Sequence, residues 1–133
     1  MFKTLMRNAL LTAALLFASD AFAKIAERMT DHGRVELARA ADADAVRAAI
    51  LASAKEHSWV VKADAPGRLT LQLDVRGKHQ VVVEIPYDAR GFEIVYVSST
   101  NMKYEKRGEN EYIHPNYNRW IGYVIAEVRA KLG

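Results

Sequence analysis

From Trp59 to Tyr96 apolar and polar positions alternate, the two-residue period of a sheet with one face covered. The clearest run is Leu69, Leu71, Leu73 and Val75, spaced by Thr70, Gln72 and Asp74. Val81, Val83 and Ile85 repeat it after Arg76-Gly77-Lys78, whose glycine supplies the positive φ of a tight hairpin, and Pro86 is expected to end that run. Tyr87-Asp88-Ala89-Arg90-Gly91 predicts a second turn, followed by one strand carrying Phe92, Ile94 and Tyr96. Trp59 and Val61 open the series with a strand of their own. Loops this short allow only antiparallel neighbours, so the pattern predicts a meander.

On either side of the meander the period lengthens to three and four. Asp42 or Asp44 can cap a helix whose face carries Val46, Ala49, Ile50, Ser53, Ala54 and His57. The stripe is thin, which suits close docking on a sheet; His57, on that apolar face, is expected to be a satisfied core residue. A last helix is predicted from about Tyr117 to Leu132, with Tyr117, Trp120, Ile121, Val124, Ile125, Val128 and Leu132 on one stripe. Residues 98–113 are polar and charged and predict a solvated loop or a flexible hairpin tip around Arg107-Gly108. Residues 24–41 fit either a short edge strand, from the alternation of Val35 and Leu37, or an early helix. The order helix, meander, helix predicts an α+β two-layer sandwich. In it an antiparallel β-meander of three to four strands packs against an N-terminal and a C-terminal helix.

The start of the chain has a different character. Lys3 and Arg7 precede an apolar stretch from Ala9 to Ala18, and Ala21-Phe22-Ala23 matches a small-x-small cleavage site. The stretch is shorter than the roughly 20 residues that span a bilayer. Residues 1–23 are therefore expected to be a cleaved signal peptide. Residues 24–133 are expected to form a single domain without a transmembrane anchor, located in the periplasm or secreted, with residues 24–41 as a flexible lead. There is no cysteine, so neither a disulfide nor a lipidated thiol contributes, and packing alone must hold the fold. The net charge is +3, and loss of Lys3, Arg7 and Asp20 leaves +2. Basic and acidic residues are interleaved throughout, which argues against nucleic acid as a partner.

The densest chemistry is in residues 112–120, YIHPNYNRW. Two structural readings stand open: Asn116 caps the last helix with Pro115 against Trp120, or His114 caps and Pro115 takes the first helical position. Neither accounts for His114, Asn118 and Arg119 together. Beside a helix start these three could hold a carboxylate or phosphate, although an Arg119 stack on Tyr123 explains the arginine equally well. The four histidines have no metal-ligand spacing, and no glycine-rich phosphate loop is present, so no metal or cofactor is expected.

Ser99, Asn101 and Tyr104 at the end of the last meander strand, followed by Ile113, His114, Tyr117, Asn118 and Trp120, resemble a group of small exported bacterial envelope proteins, some of them lipoproteins. Their shared pattern is an S-x-N-[LM]-x-Y segment and a C-terminal I-H-x-x-Y-N-x-W segment. The resemblance spans roughly residues 59–128 and implies a fold and a place to look rather than an activity. This chain departs from it in lacking the lipidated cysteine and in the extra charges from Glu105 to Glu111.

Together these features predict a non-enzymatic binding or accessory module of the cell envelope, with an envelope component or a small polar ligand as partner. The expected ligand-binding residues are Asn101, Tyr104, His114, Tyr117, Asn118 and Arg119, brought into one polar cluster with Ser99. The alternative is a small periplasmic hydrolase using Ser99 or Thr100 with His114 as base and Asp88 or Glu105 as orienter. A third reading is an interaction protein that pairs a sheet edge or uses the charged tip at 103–112.

Overall fold

The structure is a computed structural model, and it describes residues 26–133. The segment expected to be a signal peptide, with its cleavage site after Ala23, lies outside the described residues. The chain runs β1 (Glu27–Arg28), β2 (Arg34–Glu36), α1 (Ala43–Glu56), β3 (Val60–Ala65), β4 (Arg68–Val75), β5 (His79–Asp88), β6 (Gly91–Glu93), β7 (Val95–Thr100), β8 (Glu105–Arg107), β9 (Asn110–Ile113) and α2 (Pro115–Leu132). This is an α+β fold whose pairings are antiparallel throughout.

The meander is larger than expected. β2-β6-β5-β4-β3 pair in that order, and β7 also pairs with β5, making a six-stranded sheet; a second sheet is three-stranded, β1-β9-β8. Leu69, Leu71 and Leu73 stand opposite Ile85, Val83 and Val81, so the two strongest alternations bury on the same face. Both helices cover that face through Val46, Ile50 and Ala54 from α1 and Ile121, Val124, Ile125 and Val128 from α2. Asp42 caps α1 by accepting the Ala45 N–H at 2.7 Å. The helices touch each other, with Lys131 Nζ on Glu56 Oε1 at 2.9 Å.

Pro86 does not end its run. β5 continues to Asp88, and the Tyr87 N–H turns to the Gly67 carbonyl at 2.9 Å. Successive strand N–H groups face opposite sides, so the proline nitrogen faces away from β4, where it would otherwise have to donate. On that other side the expected single strand through Phe92, Ile94 and Tyr96 is broken at Ile94 into β6 and β7. The ladder on that side skips Ile85 and Pro86, passing from Glu84–Val95 to Tyr87–Phe92. A proline tolerated in a strand and an interruption in its neighbour thus have one cause.

β2 settles the open choice at the N-terminal segment as a strand. Val35 is buried, and Arg34 forks onto both oxygens of Asp88 at 2.7 and 2.9 Å. Gly91 permits this pairing: a Cβ there would lie 2.3 Å from the Val35 carbonyl oxygen. Within the charged stretch 98–113 the hairpin alternative holds: β8 and β9 pair and turn at Gly108 and Glu109, next to the expected Arg107-Gly108, with Arg107 over the Tyr112 ring at 4.7 Å. β1 adds to its edge, Glu27 opposite Ile113, and the Met29 N–H continues the pairing to the Glu111 carbonyl at 2.8 Å. None of the described helices is long and apolar enough to cross a membrane.

Candidate functional site

The last helix starts at Pro115, two residues earlier than its stripe predicts, and His114 is its cap. The His114 Nδ1 accepts the Asn116 N–H at 3.1 Å, and proline occupies the first turn where a missing donor costs nothing. An accepting Nδ1 places the neutral ring's proton on Nε2. Burial, His79 and Arg119, in that order, lower the His114 pKa, which favours this neutral capping form. His79 stands 6.1 Å away, centroid to centroid, with its Nδ1 2.6 Å from the Asn101 carbonyl. Asn101 itself holds φ at 56°, a conformation asparagine tolerates better than most residues.

Asn118 faces the N-terminal segment. Its Oδ1 accepts the Thr30 N–H at 2.9 Å, and its Nδ2 donates to Glu27 Oε1 at 2.9 Å and to the Arg28 carbonyl at 3.0 Å. One side chain thereby pins β1 to α2. Arg119 is exposed and forms no ion pair among the described residues; it does not stack on Tyr123, which lies instead on the His57 ring at 5.8 Å. The anion-binding trio of His114, Asn118 and Arg119 is therefore not assembled: one caps, one clamps and one points to solvent.

The two resembling segments do meet, through the His114 N–H on the Met102 carbonyl at 2.8 Å, but they divide into two environments rather than one polar cluster. His114 borders a small cavity of about 130 Å³ with His79 and Met102, and the Asn101 carbonyl reaches that wall through His79. Tyr104 and Tyr117 lie on another side, both against Tyr96. Tyr104 stacks on it at 4.5 Å, and Tyr117 meets it edge-on at 5.8 Å. The Tyr96 hydroxyl bonds Ser99 Oγ at 2.7 Å, and the Tyr104 hydroxyl donates to Glu111 Oε2 at 2.9 Å. With Ser99 held by Tyr96 and His114 committed to its cap, no hydrogen bond joins Ser99 or Thr100 to His114 among the described residues.

Beside these rings opens a groove of about 640 Å³ between residues 28–32, the break at Ile94, the β8–β9 turn and α2. This is within the size range of small-molecule sites. Met29, Ile94, Tyr96, Tyr117 and Ile121 form its apolar part. Tyr117 is 3 % exposed, yet its hydroxyl forms no hydrogen bond among the described residues. Burial raises its pKa far above the ordinary phenol value, with Tyr96 and Glu111 adding to the shift. Burial also raises Tyr96, and acceptance by Glu111 raises Tyr104, so all three hydroxyls keep their protons at neutral pH.

Sequence reasoning reached Tyr117 and missed the rest of the groove. Residues 28–32 and Glu93 to Val95 carry no motif, and only their meeting makes a wall. A second cleft of about 460 Å³ lies between the end of α1 and Trp120, with His57, Trp59 and Tyr123 in its wall. His57 is half-buried there rather than satisfied in the core, and its Nε2 and the Trp59 indole N–H have no partner among the described residues. Trp120 is likewise half-buried, off the closed part of the stripe. No group of three or more histidine, aspartate or glutamate side chains suited to a metal ion occurs among the described residues. No protein-family model, curated protein or solved structure matches the chain.

Proposed function

We propose that the chain is an exported, non-enzymatic binding module of the cell envelope that takes a small ligand in the groove beside Tyr96 and Tyr117. The observation that carries the reading is the Tyr117 hydroxyl, which belongs to an almost wholly buried residue and has no partner among the described residues. The ring is packed in the core while the hydroxyl opens on the groove, so its oxygen is held in one place and free to bond a guest. The apolar start of the chain and its small-x-small site support export, and the resemblance to small exported envelope proteins supports the envelope. Of the residues expected from sequence to bind, Tyr117 enters the wall and Tyr104 backs it through Tyr96; His114, Asn101 and Asn118 hold the surrounding frame.

Amide-resolved NMR titration with soluble envelope fragments and a set of small charged and neutral molecules tests the reading. Ligands should shift Met29, Tyr96 and Tyr117, and Val95→Trp, at the exposed rim, should weaken them about tenfold by filling the groove. Ligands that bind while leaving those amides unmoved would refute the groove.

A further inference from the structure

The groove has a definite electrostatic sign. Asp31, Glu93, Glu109 and Glu111 border it, against one guanidinium, Arg28, and the His32 ring. Arg28 spends one N–H on the neutral Asn110 Oδ1 at 2.7 Å and keeps its charge, so one fixed cation stands against four carboxylates. The carboxylates are less committed. Glu111 spends one oxygen on the Tyr104 hydroxyl, and Asp31 spends one on the Gly33 N–H. Glu93 and Glu109 form no ion pair among the described residues, although Arg34 stands opposite Glu93 in the β2–β6 ladder. Arg34 turns to Asp88 and Glu36 instead.

Acidic residues alone would say little, because surface carboxylates are usually solvated. The Tyr117 hydroxyl is an independent observation. It sits within electrostatic reach of Glu111 and Tyr96, both in the groove wall, and its oxygen can accept a hydrogen bond that no described group supplies. An acceptor oxygen, two tyrosine rings with electron-rich faces and surrounding carboxylates favour the same guest. The apolar part contributed by Met29, Ile94 and Ile121 requires that guest to carry a hydrocarbon body. An anionic head would face four carboxylates with a single guanidinium to receive it. A neutral head would gain nothing from the field.

We infer that the groove binds an organic ammonium ion: a cationic nitrogen held by the carboxylates and tyrosines, with an alkyl or aryl body on the apolar floor. The inference rests on the groove being the binding site. It also assigns Tyr117 a task, accepting an N–H from the guest beside the wall carboxylates.

The test uses one hydrocarbon body with four heads. Hexylammonium, hexyltrimethylammonium, hexanol and hexanoate are titrated into the purified protein at low ionic strength, with amide shifts as the readout. Both cations should bind at least about tenfold more tightly than hexanol, the gain expected of a cation beside carboxylates and tyrosine faces, and hexanoate should bind weakest. The shifts should centre on Met29, Ile94, Tyr117 and Ile121, and salt should weaken the cations while sparing hexanol. Glu93→Gln should raise the Kd of both cations severalfold and leave hexanol unchanged. Tyr117→Phe keeps the ring and removes the acceptor, so it should weaken hexylammonium and leave hexyltrimethylammonium, which has no N–H, within about twofold. Hexanol or hexanoate binding the same amides as tightly as the cations would overturn the ammonium inference and leave the groove standing. If no probe moves those amides, both fall.

Discussion

Replacing Asn118 by alanine isolates the contact that closes one wall of the groove. Its amide makes three hydrogen bonds, to the Thr30 N–H, the Glu27 carboxylate and the Arg28 carbonyl, and β1 is otherwise held by the β9 ladder and the Met29 N–H on Glu111. All three bonds are exposed, so each takes the low end of the usual range, about 0.5 kcal/mol net, and their loss together costs about 1.5 kcal/mol, tenfold in the opening equilibrium of β1. Opening should be local, because β1 contributes two exposed residues and no core side chain. Native-state hydrogen exchange should therefore show about a tenfold faster rate at Met29 and Thr30, with the amides of β4 and β5 unchanged. Arg119→Ala, one residue away and exposed, serves as control and should change neither. Equal loss of protection in Arg119→Ala, or unchanged exchange at Thr30 in Asn118→Ala, would refute the clamp.

Other outcomes follow from the same contacts. His114 has a lowered pKa because burial, His79 and Arg119 disfavour its cation, so the unfolded chain binds the proton more tightly; its contribution to stability is full above the unfolded pKa of about 6.5 and is lost as pH falls through the folded value. The thermal midpoint should drop on acidification from pH 8 to 5 more in the wild type than in His114→Asn, which keeps a cap that does not titrate. Gly91→Ala places a Cβ against the Val35 carbonyl and should cost about 1–3 kcal/mol in urea unfolding by forcing β2 from β6. Gly122→Ala, in the middle of α2 with open space around the new methyl, should gain about 0.5–1 kcal/mol in the same assay. Expression of the full chain in an exporting bacterium should yield a product whose N-terminal sequence begins Lys24-Ile25-Ala26; an uncleaved product would count against export by a signal peptide.

Elements that carry their own period were legible in the order of residues alone. The alternations of β4 and β5, the stripes of α1 and α2, the Asp42 cap and the Gly77 turn each depend on residues a few positions apart, and burial followed those patterns, with the stripe positions His57 and Trp120 among the exceptions. Pro86 misled because whether a strand tolerates proline depends on which neighbour its nitrogen faces, and that neighbour lies across a turn. The short strands were harder still. β1, β6, β8 and β9 span too few residues to establish a period, and β1 finds its partner at the far end of the chain.

In YIHPNYNRW the sequence marked a dense cluster of chemistry, and tertiary structure decided what each side chain does. Asn118 reaches a backbone N–H 88 residues earlier, His114 closes on its own helix, and Tyr117 alone turns to the groove. A helical repeat says which face a residue occupies, whereas a hydrogen-bond partner is whatever the rest of the chain delivers to that face. The groove exists only because segments without a period of their own, residues 28–32 and the break at Ile94, are brought against the helix by pairings of high sequence separation.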